Sequence, residues 1–167
     1  MTMEINQTRL ALLEALKTRL GEWTGDMRLP AALQKGDVEV IERAPEIYKM
    51  RLSNSSHAKK LAPYIIIQFV NGIDVQKTGR WEDSTAVVRM IFVTYCEDEE
   101  AGAAQLMNVM DRVRLGLLGE PIVGDAFRLD TDAGLESLVY TDDTAPYYAG
   151  EMFGTFFCPS VRRRDGM

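Results

Sequence analysis

Ser84-Thr85-Ala86-Val87-Val88-Arg89-Met90-Ile91-Phe92-Val93-Thr94-Tyr95-Cys96 is the stretch that decides the fold. Strand alternation puts Val88, Met90, Phe92 and Cys96 on one face and Val87, Ile91, Val93 and Tyr95 on the other. A strand that is apolar on both faces must be covered twice. The sequence therefore calls for a helix on one side and a further helix, a sheet or a neighbouring subunit on the second.

Downstream, Asp98 is placed to cap a helix whose first turn carries Glu99 and Glu100, favourable at the positive end of its dipole. The periodicity gives it an inner stripe of Leu106, Met107, Met110, Val113, Leu117 and Leu118. Arg112 and Arg114 fall in its last turns, and Gly119 and Pro121 stop it. Residues 126–130 and 135–141 read as short strands. Residues 147–158 form a final long one, with Tyr148, Met152 and Phe156 on one face and Tyr147, Phe153 and Phe157 on the other. Pro159 ends that strand, and residues 160–167 are a charged tail containing Arg162, Arg163 and Arg164.

Upstream, Pro63 introduces Tyr64-Ile65-Ile66-Ile67-Gln68-Phe69-Val70, a second interior strand. Asn71-Gly72 is a turn signal, so residues 71–83 read as a long loop or a short hairpin tip. Residues 53–60 are polar, lack any period and read as another loop. Residues 38–43 and 46–52 alternate like half-solvated strands. Residues 1–25 hold an amphipathic helix with Leu10, Leu13, Leu16 and Leu20 inward, closed by Gly21 and Gly25. Helix, strands, helix, strands is the order of an α+β fold. The expectation is an antiparallel or mixed β-sheet with two main helices packed on one face, in one domain over residues 1–167.

Charge narrows the function. A net charge of −6 and a pI near 4.9 oppose a role in neutralising phosphates, so neither sequence-specific nucleic-acid binding nor an anionic membrane is expected. The charge is uneven: residues 1–60 carry ten basic and eight acidic groups, residues 61–167 nine and seventeen. Such asymmetry can orient head-to-tail contacts between copies. With two cysteines at the ends of apolar runs, no secretion signal in Met1 to Arg19 and no run of eighteen apolar residues, the expected setting is a reducing cytoplasm.

The residues that could carry chemistry do not converge. His57 is the sole histidine, in a Ser-Asn-Ser-Ser-His-Ala-Lys-Lys run, and a hydrolase built on it would need a remote carboxylate and a buried cleft. One His and two distant Cys are too few for a Cys/His metal site. Asp130, Asp132, Glu136, Asp142 and Asp143 lack the spacing of a calcium loop. No glycine-rich phosphate loop precedes a helix. Cys96 is followed by four acidic residues, an environment opposed to thiolate formation. The expectation is a protein that is not an enzyme, with no catalytic residues, metal or cofactor. A ligand-binding module lined by Tyr147, Tyr148, Phe153 and Phe157 is the other alternative.

Four segments carry a family resemblance: Ala62-Pro63-Tyr64-Ile65-Ile66-Ile67, the strand from Val87 to Cys96, the helix from Leu106 to Leu118, and Ala145-Pro146-Tyr147-Tyr148-Ala149-Gly150-Glu151-Met152-Phe153. Over residues 60–165 the chain resembles the tail terminator, or tail completion, proteins of long-tailed bacteriophages. Other phage neck and minor tail components of related fold share this likeness. It implies a structural virion protein, made in the host cytoplasm, that forms a ring, commonly a hexamer. The ring caps the tail tube protein and joins it to the head-tail connector. In that reading Arg112, Arg114, Arg162, Arg163 and Arg164 are candidate contacts to acidic neighbours.

Overall fold

The computed structural model describes residues 7–33, 36, 39–52, 61–78, 82–141 and 145–161. The loop expected at 53–60, His57 within it, Arg162 to Arg164 and the first six residues lie outside these.

In chain order the elements are α1 (Arg9–Thr24), β1 (Leu29–Pro30), β2 (Glu42–Arg43), β3 (Glu46–Lys49), β4 (Tyr64–Gln76), β5 (Glu82–Tyr95), α2 (Glu99–Gly119), β6 (Ile122–Val123), β7 (Phe127–Leu129), β8 (Leu135–Val139) and β9 (Tyr147–Phe157). Among the described residues a seven-stranded sheet runs β3-β4-β5-β9-β7-β6, with β8 also on β9. Only the β3–β4 pair is parallel, so the sheet is mixed as expected. β5 lies at its centre, paired with β4 from Tyr64↔Val93 to Gln76↔Glu82 and with β9 from Thr85↔Phe157 to Tyr95↔Tyr147.

Both helices cover one face of this sheet. Leu12, Leu13, Leu16 and Leu20 of α1 and Leu106, Val109, Met110, Val113 and Leu117 of α2 are buried with Ile65, Ile67, Val88, Met90, Phe92, Met152 and Phe156. Capping sets where the helices begin. Thr8 Oγ1 accepts from the Ala11 amide, and Asp98 Oδ1 accepts from the amides of Glu100 and Ala101. Two helical glycines let aromatic rings sit against the helix backbone: a β-carbon at Gly102 would overlap the Tyr148 ring, and one at Gly116 the Trp23 indole.

Three sequence expectations change here. Of the two readings of 71–83, long loop or short hairpin tip, the hairpin holds and the long loop does not: β4 runs on to Gln76 and β5 starts at Glu82, antiparallel to it. The Asn71-Gly72 signal is absorbed by a bulge between Phe69 and Asn71, and pairing with residues 82–87 supplies the ladder that local preference does not. In α1 the inward residue of the first turn is Leu12, while Leu10 is exposed, because starting at Arg9 turns Leu10 away from the sheet. In α2 Val109 is buried whereas Met107 and Leu118 face outward.

The opposite face of the sheet is only half covered. Tyr64, Ile66, Val93 and Tyr95 pack under Ala32, Leu52 and Ala62. Arg43 stitches that cover down, donating to the carbonyls of Leu61 at 2.5 Å and Pro63 at 3.0 Å. The cover stops at Met50. That residue holds φ at +68°, an uncommon value for a side chain other than glycine, and its amide makes a last bond to the Ile67 carbonyl.

Candidate interaction surface

Past Met50 no other described residue covers the outer face of the sheet. Register places Gln68, Asn71 and Ile73 of β4, Thr85, Val87 and Arg89 of β5, Glu151, Phe153 and Phe157 of β9, and Glu136 and Leu138 of β8 on this side. Its centre is a charged cluster on an aromatic floor. Arg89 Nε donates to Glu151 Oε2 at 2.6 Å, Arg89 Nη2 donates to the Tyr140 hydroxyl at 3.1 Å, and that hydroxyl donates to Glu151 Oε2 at 2.9 Å. The Arg89 guanidinium lies 5.9 Å from the Phe153 ring centre, and Arg128 stands 5.0 Å from that of Phe157. Burial and the bond to Glu151 push the Tyr140 hydroxyl above its ordinary pKa, which keeps it a donor.

A shallow depression beside this cluster is lined by Met50, Gln68, Phe69, Val70 and Phe153. Its polar groups are already paired with one another. The combination of Arg, Tyr and Phe around a flat, half-apolar seat matches the composition of protein–protein contacts, where these residues are enriched. No nucleophile and base meet in it.

Of the predicted contact arginines, Arg112 and Arg114 lie among the described residues, and they bind different partners. Arg112 Nη1 donates to the Trp23 carbonyl at 3.0 Å and to Asp26 Oδ1 at 2.8 Å, so it ties α2 to the end of α1. That hydrogen bond and the guanidinium charge hold the Asp26 carboxyl below the usual range. Arg114 Nε donates to Asp111 at 2.9 Å and shares an exposed stripe with Met107 and Leu118.

Asp130 accepts from the amides of Asp132 and Ala133 and shapes the turn before β8. Among the described residues no group of three His, Cys, Asp or Glu could hold a metal, and no helix is long and apolar enough to cross a membrane. Cys96 and Cys158 are free; burial pushes the Cys158 thiol up, away from reactivity. The four aromatics of the ligand-module alternative line no common cavity. Tyr147 meets Tyr95 edge-on at 5.3 Å on the outer face, whereas Tyr148 packs against Gly102 on the inner one. Sequence reasoning singled out Phe153 and Phe157 but missed Arg89, Tyr140 and Glu151. The signal available was one Arg and one Glu at outer positions of two otherwise apolar strands.

No family model and no curated protein matches the sequence. Among solved structures, a chain described as "Virion of native gene transfer agent (GTA) particle" shares the fold with a TM-score of 0.52 at 12% identity, over 88% of this chain and 93% of that one. A second solved chain gives a TM-score of 0.49 at 14% identity, over 97% and 100%. The first of these likenesses, at 12% identity, establishes a common fold and nothing finer.

Proposed function

We propose that this chain is a structural virion protein of a tailed, phage-like particle, acting as a tail terminator. Copies assemble into a ring, a hexamer in this reading, that caps the tail tube and meets the head-side connector. The observation that carries the reading is the half-open outer face of the sheet. Apolar and aromatic residues are left at the surface beside a pre-paired Arg89–Glu151–Tyr140 cluster, in a fold whose other face carries both helices. A fold shared with a chain of a virion particle supports it, as does the lack of any catalytic constellation among the described residues. Arg162 to Arg164 are the arginines best suited to acidic neighbours, since Arg114 is already engaged by Asp111. Arg112 is already engaged by Asp26.

The test is the solution mass of the purified protein by light scattering across concentration and salt. The expected result is a species near six times the 18.8 kDa chain, dissociating as salt rises because charged contacts between copies are screened. A strict monomer at every concentration contradicts the ring.

A further inference from the structure

Each strand of a sheet has two hydrogen-bonding edges, and an edge left bare in water attracts another strand. β3 pairs with β4 only over Tyr64 to Ile67, and the chain leaves that edge at Met50. From Val70 to Val75 the outer edge of β4 has no strand partner among the described residues. At the other side of the same sheet β8 pairs, among the described residues, with β9 alone, which leaves its outer edge without a strand partner there.

The β4 edge is bulged at Phe69–Asn71 and β8 is short, but neither carries the lysine or proline that often blunts an edge. There is no Lys and no Pro in residues 70–75 or 135–139. The one charge on the β4 stretch, Asp74, is drawn toward α1, accepting from Ser84 Oγ at 2.7 Å and Arg9 Nη2 at 3.1 Å. Both edges instead expose apolar side chains: Ile73 is 57% and Val70 51% exposed, Leu138 50% and Val139 42%.

We infer that β8 of one copy adds to the Val70–Val75 edge of β4 in the next, so that the sheet continues from subunit to subunit around the ring. This rests on the ring reading above and names the contact that would build it. The direction follows from topology. β4, β5, β9 and β8 alternate in sense, so β8 beside the next copy's β4 continues the antiparallel order. The faces match as well. Leu138, opposite Glu151, and Ile73, opposite Thr85, both lie on the outer face and meet side by side. Charge agrees: exposed Arg51 and Lys77 flank the β4 stretch, and exposed Asp132 and Glu136 flank or occupy β8. Because the two edges differ, the contact is heterologous and propagates until it closes, as a cyclic ring requires.

Two variants test this, Ile73→Lys on β4 and Leu138→Lys on β8, each at an exposed position and each checked for unchanged thermal unfolding. Asn71→Lys and Ser137→Lys replace any variant that does not fold. The expected result is that each alone is monomeric, its association weakened at least tenfold against the unmodified chain. An equimolar mixture should then give a two-chain species and nothing larger, since each variant supplies the one edge that the other has lost. Variants that still form the full ring, or blocked variants that do not pair on mixing, overturn the edge contact while leaving the ring standing. An unmodified chain that stays monomeric in the same experiment overturns the ring and this inference with it.

Discussion

The two faces of the central sheet are built from the same strands and end in different states. On the inner face, Met90, Phe92, Met152 and Phe156 vanish beneath two helices. On the outer face, cover reaches only Tyr64, Ile66, Val93 and Tyr95, and from Arg89 to Thr85 the sheet meets solvent. Burial of apolar area drives folding wherever it occurs, so a monomer content to stop there would be expected to close both faces or to make the second polar. The difference separates residues that hold the monomer together from residues available to hold copies together.

The sharpest way to break this comparison is at Phe92. Phe92→Ala leaves a cavity between sheet and helices and should lower unfolding stability by about 3–5 kcal/mol in chemical denaturation. The equivalent outer change, Phe153→Ala, should cost the monomer well under half of that and act instead on association. Next in size is Gly116→Ala, which drives a methyl into the Trp23 ring; overpacking of this kind costs roughly 1–3 kcal/mol, read from the same denaturation curves. On the outer side, exchanging a half-exposed hydroxyl for a methyl in Thr155→Val should leave stability within about 0.5 kcal/mol.

Smaller effects come from charges around the rim. Arg112→Ala breaks an exposed clamp between α2 and α1 and should cost about 0.2–1 kcal/mol. Asp26 and Asp74 both titrate below the ordinary 3.8, Asp26 through Arg112, and Asp74 first through Ser84 and then Arg9. Their contribution is therefore fully present above pH 3.8 and is lost as pH falls through the lower folded-state values. An acid titration of Asp74→Asn should show a weaker loss below pH 3.8 than the parent chain. At the alkaline end, the bond to Glu97 and then burial push the Tyr95 hydroxyl up to about 12. Stability from that bond is present below pH 10 and disappears as pH rises toward 12, so Tyr95→Phe should flatten this limb of the pH profile.

How much of this was legible in the sequence depended on whether a residue's fate is decided locally. β5 and β9 declare themselves by long apolar runs on both faces, and α2 by Asp98 and the glutamates behind it. Their two-sided burial already asks for a second cover. Residues 71–76 do not declare themselves. Asn71, Gly72, Asp74 and Gln76 favour a turn, and only pairing with residues 82–87 makes them a strand. Most of each helix's stripe was legible: Leu13, Leu16 and Leu20 hold in α1 and Leu106, Met110, Val113 and Leu117 in α2, while Leu12 and Val109 were missed and Leu10, Met107 and Leu118 face outward, because the helix's rotation on the sheet fixes its buried arc and the sequence period alone does not. The Arg89–Tyr140–Glu151 cluster was missed for the same reason. Arg89 and Glu151 sit on separate strands and Tyr140 just past the end of β8, so they meet only in the folded register. The bare edges of β4 and β8 lie beyond any local reading, since an edge is defined by the strand that is absent beside it.

Hydrogen exchange followed as the protein is concentrated tests the central claim most directly. If the open side of the sheet is where copies meet, amides of Val70–Val75 and Leu135–Val139 gain protection on assembly, while the outward surface of α2 around Met107 and Leu118 stays as it was. Protection appearing on α2, with both sheet edges unchanged, would contradict the account.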